Sequence, residues 1–251
     1  MRRIWAIAHN TFREAIRDRI IYGMLAFGVL FTLSAMLLRR LTIDKPIRIV
    51  IDFGVFSVGL VGIAFAIVLG TLQLYKEIQK KTIYTILSKP IHRYEFILGK
   101  FIGMLLILFL VVISLSVVWM FMLWYSGYPP NVEFLKAVIL IYMEVMLVAS
   151  FALFFSSFTR PFLSAVFSTG LFLVGRISHI IDAFTRKGKS FLRGNEIAKA
   201  FVRIVPDLHT YNPAQELLKD IPLSWNFLRK TMQLFDIASL FYQLCRRCSE
   251  R

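Results

Sequence analysis

Two cysteines in a chain of 251 residues cannot build a disulfide framework. Both, Cys245 and Cys248, stand in one Cys-Arg-Arg-Cys run with no second cysteine or histidine pair to complete a metal site, so they read as terminal thiols. Acidic residues are scarce as well, 15 Asp and Glu against 30 Lys and Arg. Eight prolines and 13 glycines exclude collagen-like and low-complexity classes, and the lack of polar tracts excludes wholesale disorder. Hydrolytic signatures are missing: neither His-Glu-x-x-His nor Gly-x-Ser-x-Gly occurs, and His9, His92, His179 and His209 are scattered. Gly188-Lys189-Ser190 could end a P-loop, but Ala183 stands where the first glycine belongs, and an apolar span precedes it in place of a strand. No catalytic, cofactor or metal site is therefore expected in the chain itself.

What the chain does have is hydrophobicity. Its residues are 57% hydrophobic and 15% aromatic, with 24 phenylalanines, against the roughly 45–50% apolar share of a soluble domain. Such a chain belongs in a membrane. The net charge of +15 could suggest nucleic acid, but bases flanking apolar runs are what the positive-inside rule requires, so no nucleic-acid partner is expected. Arg2 and Arg3 precede only five apolar residues before His9 and Asn10, too few for a signal-peptide core.

The expected fold class is all-α: a polytopic integral membrane protein with five transmembrane helices, a marginal sixth, and an N-terminal amphipathic helix. Residues 1–19 put Ile4, Ala8, Phe12, Ala15 and Ile16 on one stripe and Arg13, Glu14, Arg17 and Asp18 largely elsewhere, the pattern of an interfacial elbow helix. The transmembrane domain is read as 20–181. Uncharged runs predict spans over Ile20–Leu38, Phe53–Tyr75, Phe101–Trp124 and Phe134–Ser156, each long enough to cross a core of about 30 Å. A fifth, Phe162–Ile181, carries Arg176 and His179 near its far end. Residues Arg39–Asp52 read as a connection, and 125–131, with Gly127, Pro129 and Pro130, as a turn. Gly54, Gly59, Gly62 and Gly70 suit the second span to close packing.

With the N-terminus inside, 12 bases lie on the cytoplasmic flanks and five on the other side, which predicts a cytoplasmic N-terminus and a cytoplasmic segment at 76–100. Residues 182–251 read as a basic extramembrane region with an atypical end, in which 191–204 is consistent with another interfacial helix. Within 231–245, six Leu, Ile or Phe residues at roughly −0.5 kcal/mol each are offset by about +3 kcal/mol for Asp236, with Gln233 and Gln243 adding to the cost, which makes a sixth span marginal.

Two features call for an explanation in chemistry. Glu144 in the fourth span and Arg176 in the fifth are charges at membrane depth, which are expensive unless paired or exposed to a water-filled cavity. Antiparallel neighbours can pair them, either as a structural ion pair or as the lining of a substrate path. Counted from the expected outer ends, their depths differ by about 7 Å, a gap that an arginine side chain largely bridges. The second feature is the segment 77–90, where Ile78, Thr82, Thr85 and Ile86 form one helical stripe that Pro90 ends. This reads as a short amphipathic docking helix, or else as a solvated basic loop. Met104, Met120, Met122, Met143 and Met146 invite a Cu(I) path, but lack His or Cys beside them and read as core filler.

At these residues the chain resembles the permease subunits of ABC exporters, and among them the multicopper-enzyme-maturation type, similar to the nitrous oxide reductase accessory permease. The resemblance rests on Thr11-Phe12-Arg13-Glu14-Ala15-Ile16-Arg17-Asp18-Arg19 and on Glu77, Thr82, Tyr84, Leu87-Ser88-Lys89-Pro90, Arg93-Tyr94-Glu95 and Gly99-Lys100, and covers about residues 1–180. It implies an elbow helix and a homodimer in the inner membrane of a prokaryote. It also implies a coupling helix, carrying Glu77, Thr82, Tyr84, Leu87, Lys89, Pro90 and Arg93, that docks on a separate ABC ATPase dimer. ATP and Mg would be bound by that ATPase. Family members end in a strongly apolar sixth span and a basic tail, whereas this chain turns polar from Gln233, the pattern expected of a truncated or frame-altered terminus. The expected function is a permease that couples a partner ATPase to export. A membrane scaffold without transport activity is the alternative from another class, and an intramembrane enzyme is a third that the spans, lacking paired acids or metal ligands, support least.

Overall fold

The computed structural model of the chain describes residues 2–41, 46–79, 93–128 and 132–187. Among these residues all regular structure is helical: α1 (Arg2–Ile16), α2 (Arg19–Leu41), α3 (Pro46–Gln79), α4 (Arg93–Tyr125), α5 (Val132–Ser156) and α6 (Pro161–Lys187). Four helices are long and apolar enough to cross a membrane: α2 over Arg19–Arg40, α3 over Ile47–Gln73, α4 over Leu98–Tyr125 and α5 over Val132–Ser156.

Two boundaries differ from expectation. Residues 46–52, read as part of a connection, are the first two turns of α3. Proline suits the first helical position because its missing N–H has no partner there anyway, and Val50 and Ile51 already enter the core. The second difference concerns the expected fifth span. Its helix, α6, runs past Ile181 to Lys187.

The helix ends follow local chemistry. Asp18 caps α2: its Oδ1 accepts the Ile20 N–H at 3.2 Å and its carbonyl the Ile21 N–H at 3.1 Å. Gly127, at φ 82°, ends α4 in a Schellman turn, with Tyr128 N–H donating to Leu123 O at 3.1 Å and Gly127 N–H to Trp124 O at 3.0 Å. Arg39 Nη1 donates to Ser126 Oγ at 2.8 Å, tying the end of α2 to the same turn.

The core is organised around α3, which packs against α2, α4, α5 and α6. Of its span window 61% is buried, against 17% for α2, so α3 is the hub and α2 a peripheral helix with Tyr22, Phe27, Leu30 and Leu37 facing outward. Lipid tails are as apolar as leucine, so helices in a membrane are held by close packing and not by exclusion from water. Glycines provide that closeness. At Gly54 the indole of Trp119 fills the space a Cβ would need, and its Nε1–H donates to Val50 O at 3.1 Å. At Gly62 and Gly70 a Cβ would lie 2.9 Å from Val145 Cγ2 and 2.7 Å from Ala152 Cβ, both on α5. Ser156 Oγ closes that seam by donating to Thr71 O at 3.2 Å. Gly59, by contrast, has no atom within 4 Å of a Cβ.

Candidate functional site

The segment expected to dock lies between α3 and α4. Thr82, Tyr84, Leu87, Lys89 and Pro90 are outside the described residues, whereas Glu77 is in the last turns of α3 and Arg93 opens α4. The two helices that anchor this segment are joined at one compact junction. Elbow helix α1 packs chiefly on α4 and only slightly on α2. Its inward face is Ala8, Thr11 and Ala15, with Arg13, Glu14 and Arg17 exposed.

The contact is made by two glycines one helical turn apart at the start of α4. A Cβ at Gly99 would meet Ile7 Cβ at 2.9 Å and Ile4 O at 3.0 Å. One at Gly103 would meet Ala8 O at 2.7 Å and Thr11 Cβ at 2.8 Å. This is a Gly-x-x-x-Gly groove that admits the backbone of α1 itself. The sequence shows this spacing in Gly99-Lys100-Phe101-Ile102-Gly103, although the glycines that composition marks for close packing are those of the second span.

Lys100, between the glycines, was read as a base leading into the third span. It is 2% exposed. Its Nζ donates to Gln73 O in α3 at 2.9 Å and lies 5.6 Å from the Phe96 ring centroid. Lys100 therefore ties the end of α3 to the start of α4, and Gly99 and Gly103 tie α1 to the same turns.

The second arrangement lies at mid-height. Arg176 Nη1 is 2.7 Å from Glu144 Oε1. The depth mismatch expected from the sequence disappears because α6 continues to Lys187: Arg176 is eleven residues from that end, and Glu144 is twelve from the start of α5 at Val132. One more hydrogen bond crosses this seam, Ser164 Oγ donating to Ala152 O at 3.2 Å, while Ser168 Oγ bonds back within α6 to Ser164 O at 2.8 Å; both serines are buried. Near the start of α5, Lys136 and Glu133 pair at 3.0 Å. Met104 and Met122 are enclosed in the apolar core, and among the described residues no cluster of His, Cys, Asp or Glu could hold a metal. Cys245 and Cys248 lie outside the described residues.

A helical bundle with four long apolar helices, an amphipathic first helix packed on the bundle and no strands among the described residues is a polytopic membrane protein. The family model for ABC-2 family transporter proteins matches residues 5–219, most of the chain, and the chain belongs to that family. It is a membrane permease subunit of an ABC transporter, and the family implies an ABC ATPase as its partner. The match continues beyond residue 180, where the resemblance read from the sequence stopped, and ends before the polar stretch from Gln233. No curated protein matches the chain.

Proposed function

We propose that the chain is the permease half of an exporter of the multicopper-enzyme-maturation type, working as a homodimer in the inner membrane of a prokaryote with its N-terminus cytoplasmic. It carries no catalytic residues. ATP and Mg are bound and hydrolysed on a separate ATPase dimer, and the segment 77–90, with Arg93, seats on that dimer. Tyr84, Ile86 and Leu87 enter the ATPase, Lys89 and Arg93 meet its acidic rim, and Pro90 ends the helix, with Glu77 and Thr82 on the same segment.

The observation that carries this reading is the junction beside the segment. A docking element transmits force only if its anchors move together. The Lys100 amine on Gln73 O joins the end of α3 to the start of α4, and the backbone of α1 lies in the Gly99–Gly103 groove. Displacement of 80–92 would thus be passed to α1, α3 and α4 as one body.

The test is Leu87→Asp. Burying one leucine is worth roughly 1.5–3 kcal/mol, so losing it in both copies should weaken ATPase association by tenfold or much more. The variant should insert normally and fail to co-purify the ATPase. An undiminished, fully coupled ATPase in the pull-down would refute docking through 77–90. Impermeant labelling of Asn131→Cys but not Ser88→Cys in intact cells is the expected topology result, and the reverse pattern would invert it.

A further inference from the structure

The charge pair at mid-height is lopsided. Glu144 sits at the middle of α5, twelve residues from each end, about 18 Å along the helix and beyond the reach of either surface for a side chain. Its side chain is 3% exposed, while that of Arg176 is 31% exposed. A pair serving stability alone would gain from enclosing both partners, because an open cation at this depth either faces lipid at a cost of about 3 kcal/mol or faces something polar. The contact is also single-point. Among the described residues, Nη1 to Oε1 is the one hydrogen bond of a guanidinium that carries five N–H donors, so these residues leave most of the fork for a further acceptor.

The flank of α6 beside Arg176 has a second character. Phe162, Val166 and Leu173, at 14, 10 and 3 residues before Arg176, fall within about a third of the helix circumference from it, and all three are exposed. A cation above an apolar strip matches a molecule with an anionic head and an apolar tail. Arginine is well suited to the head, since its planar fork meets phosphate or carboxylate oxygens in pairs.

We propose that Arg176 is a binding residue for an anionic amphiphile, taking its phosphate or carboxylate head at the middle of the bundle while the tail lies along Phe162, Val166 and Leu173. Glu144 is the resident counter-charge that holds the guanidinium when no ligand is bound, and it takes up a proton when the ligand's anion replaces it, so that the site stays neutral. This deepens the permease reading and rests on it for the meaning of the site, but the binding itself does not require the ATPase.

The experiment uses the full-length permease without its ATPase, in nanodiscs of mixed phosphatidylglycerol and phosphatidylcholine, with retained lipid counted by native mass spectrometry. Wild type should retain phosphatidylglycerol in preference to phosphatidylcholine, and Arg176→Gln should lower that retention about tenfold or more, the loss of one charge-assisted hydrogen bond or greater. Arg176→Gln leaves Glu144 unpaired and could fail to fold. Glu144→Gln/Arg176→Gln removes both charges and decides the matter: it should bind as poorly as Arg176→Gln, while Glu144→Gln alone retains binding and Arg160→Gln behaves as wild type. Wild-type retention in the double variant, or no headgroup preference in wild type, would overturn the proposal. Displacement of the lipid by millimolar inorganic phosphate would overturn the amphiphile in favour of a free anion. Loss of ATPase docking in Leu87→Asp with this binding intact would separate the two readings.

Discussion

Helix α5 presents two faces to its neighbours, and they are built differently. Toward α3 it is tight and mostly apolar, with Ser156 on Thr71 O at its end: Val145 and Ala152 press onto Gly62 and Gly70 at distances that leave no room for a Cβ. Toward α6 polar contacts stand among apolar ones: Ser164 reaches Ala152 O and Glu144 meets Arg176, beside Phe172 on Leu147 and Phe167 on Phe155. In a membrane the first kind of seam resists sliding, because its contacts depend on fixed register and fall off over fractions of an ångström. The second kind has partners that water or a ligand can replace. On these grounds the α3–α5 seam is expected to be the firmer of the two and the α5–α6 seam the more readily separated.

The comparison breaks most directly at Gly70. Gly70→Leu would drive a side chain into Ala152 Cβ, 2.7 Å from where its own Cβ must sit, and into the α5 backbone. A loss of about 3 kcal/mol or more is expected, seen as loss of monodisperse protein on size exclusion. Normal yield and melting would mean the α3–α5 seam is not close-packed.

Next in size is the charge pair. Glu144→Gln or Arg176→Gln leaves a lone charge at depth and should cost about 2 kcal/mol, less than for an enclosed pair because Arg176 is partly open. The double change should cost clearly less than the two single losses added together. Strict additivity in thermal melts would show that the residues do not act as a pair.

Ser164→Ala should be milder, about 0.6 kcal/mol, the usual worth of an interhelical hydrogen bond in a bilayer. Its acceptor, Ala152 O, lies within α5, in reach of the helix's own N–H ladder. A destabilisation several times larger would make the α5–α6 seam as rigid as its counterpart. Smallest of all is Gly59→Ala, on the hub helix but with open space around its Cβ. A change within about 0.5 kcal/mol is expected, in the stabilising direction if helix propensity dominates. A melt as damaged as that of Gly70→Leu would mean that α3 tolerates no side chain at any glycine.

Much of this architecture was legible beforehand, for identifiable reasons. Uncharged runs near 20 residues placed four spans to within a turn or so at most ends, since hydrocarbon admits little else. The error at 46–52 came from treating charge as a helix boundary: Arg48 and Asp52 are tolerated because they lie off the face that buries Val50 and Ile51. The misplaced end of α6 has the same origin, because composition marks where lipid stops and not where backbone hydrogen bonding stops. At the candidate site, Glu144 and Arg176 stood out as costly charges, whereas Lys100 looked like one more flanking base. Nothing local to Lys100 tells that its amine reaches a carbonyl 27 residues back in the chain.

The sequence by itself determined the solvent and the class of this protein, because 57% hydrophobic residues in uncharged runs can be satisfied only by helices in a bilayer. It determined the elbow helix through its 3.6-residue periodicity, and it nominated the two intramembrane charges through their cost. Tertiary structure alone decided which glycines act as contacts: Gly54, Gly62 and Gly70 receive a neighbour where Gly59 does not, and Gly99 and Gly103 receive the backbone of α1. It also decided that Glu144 is enclosed while Arg176 stays partly open. The division has a physical cause. Solvent preference and helix periodicity are sums over residues near in sequence, whereas close contact and enclosure depend on the relative rotation and register of helices, which no single segment encodes.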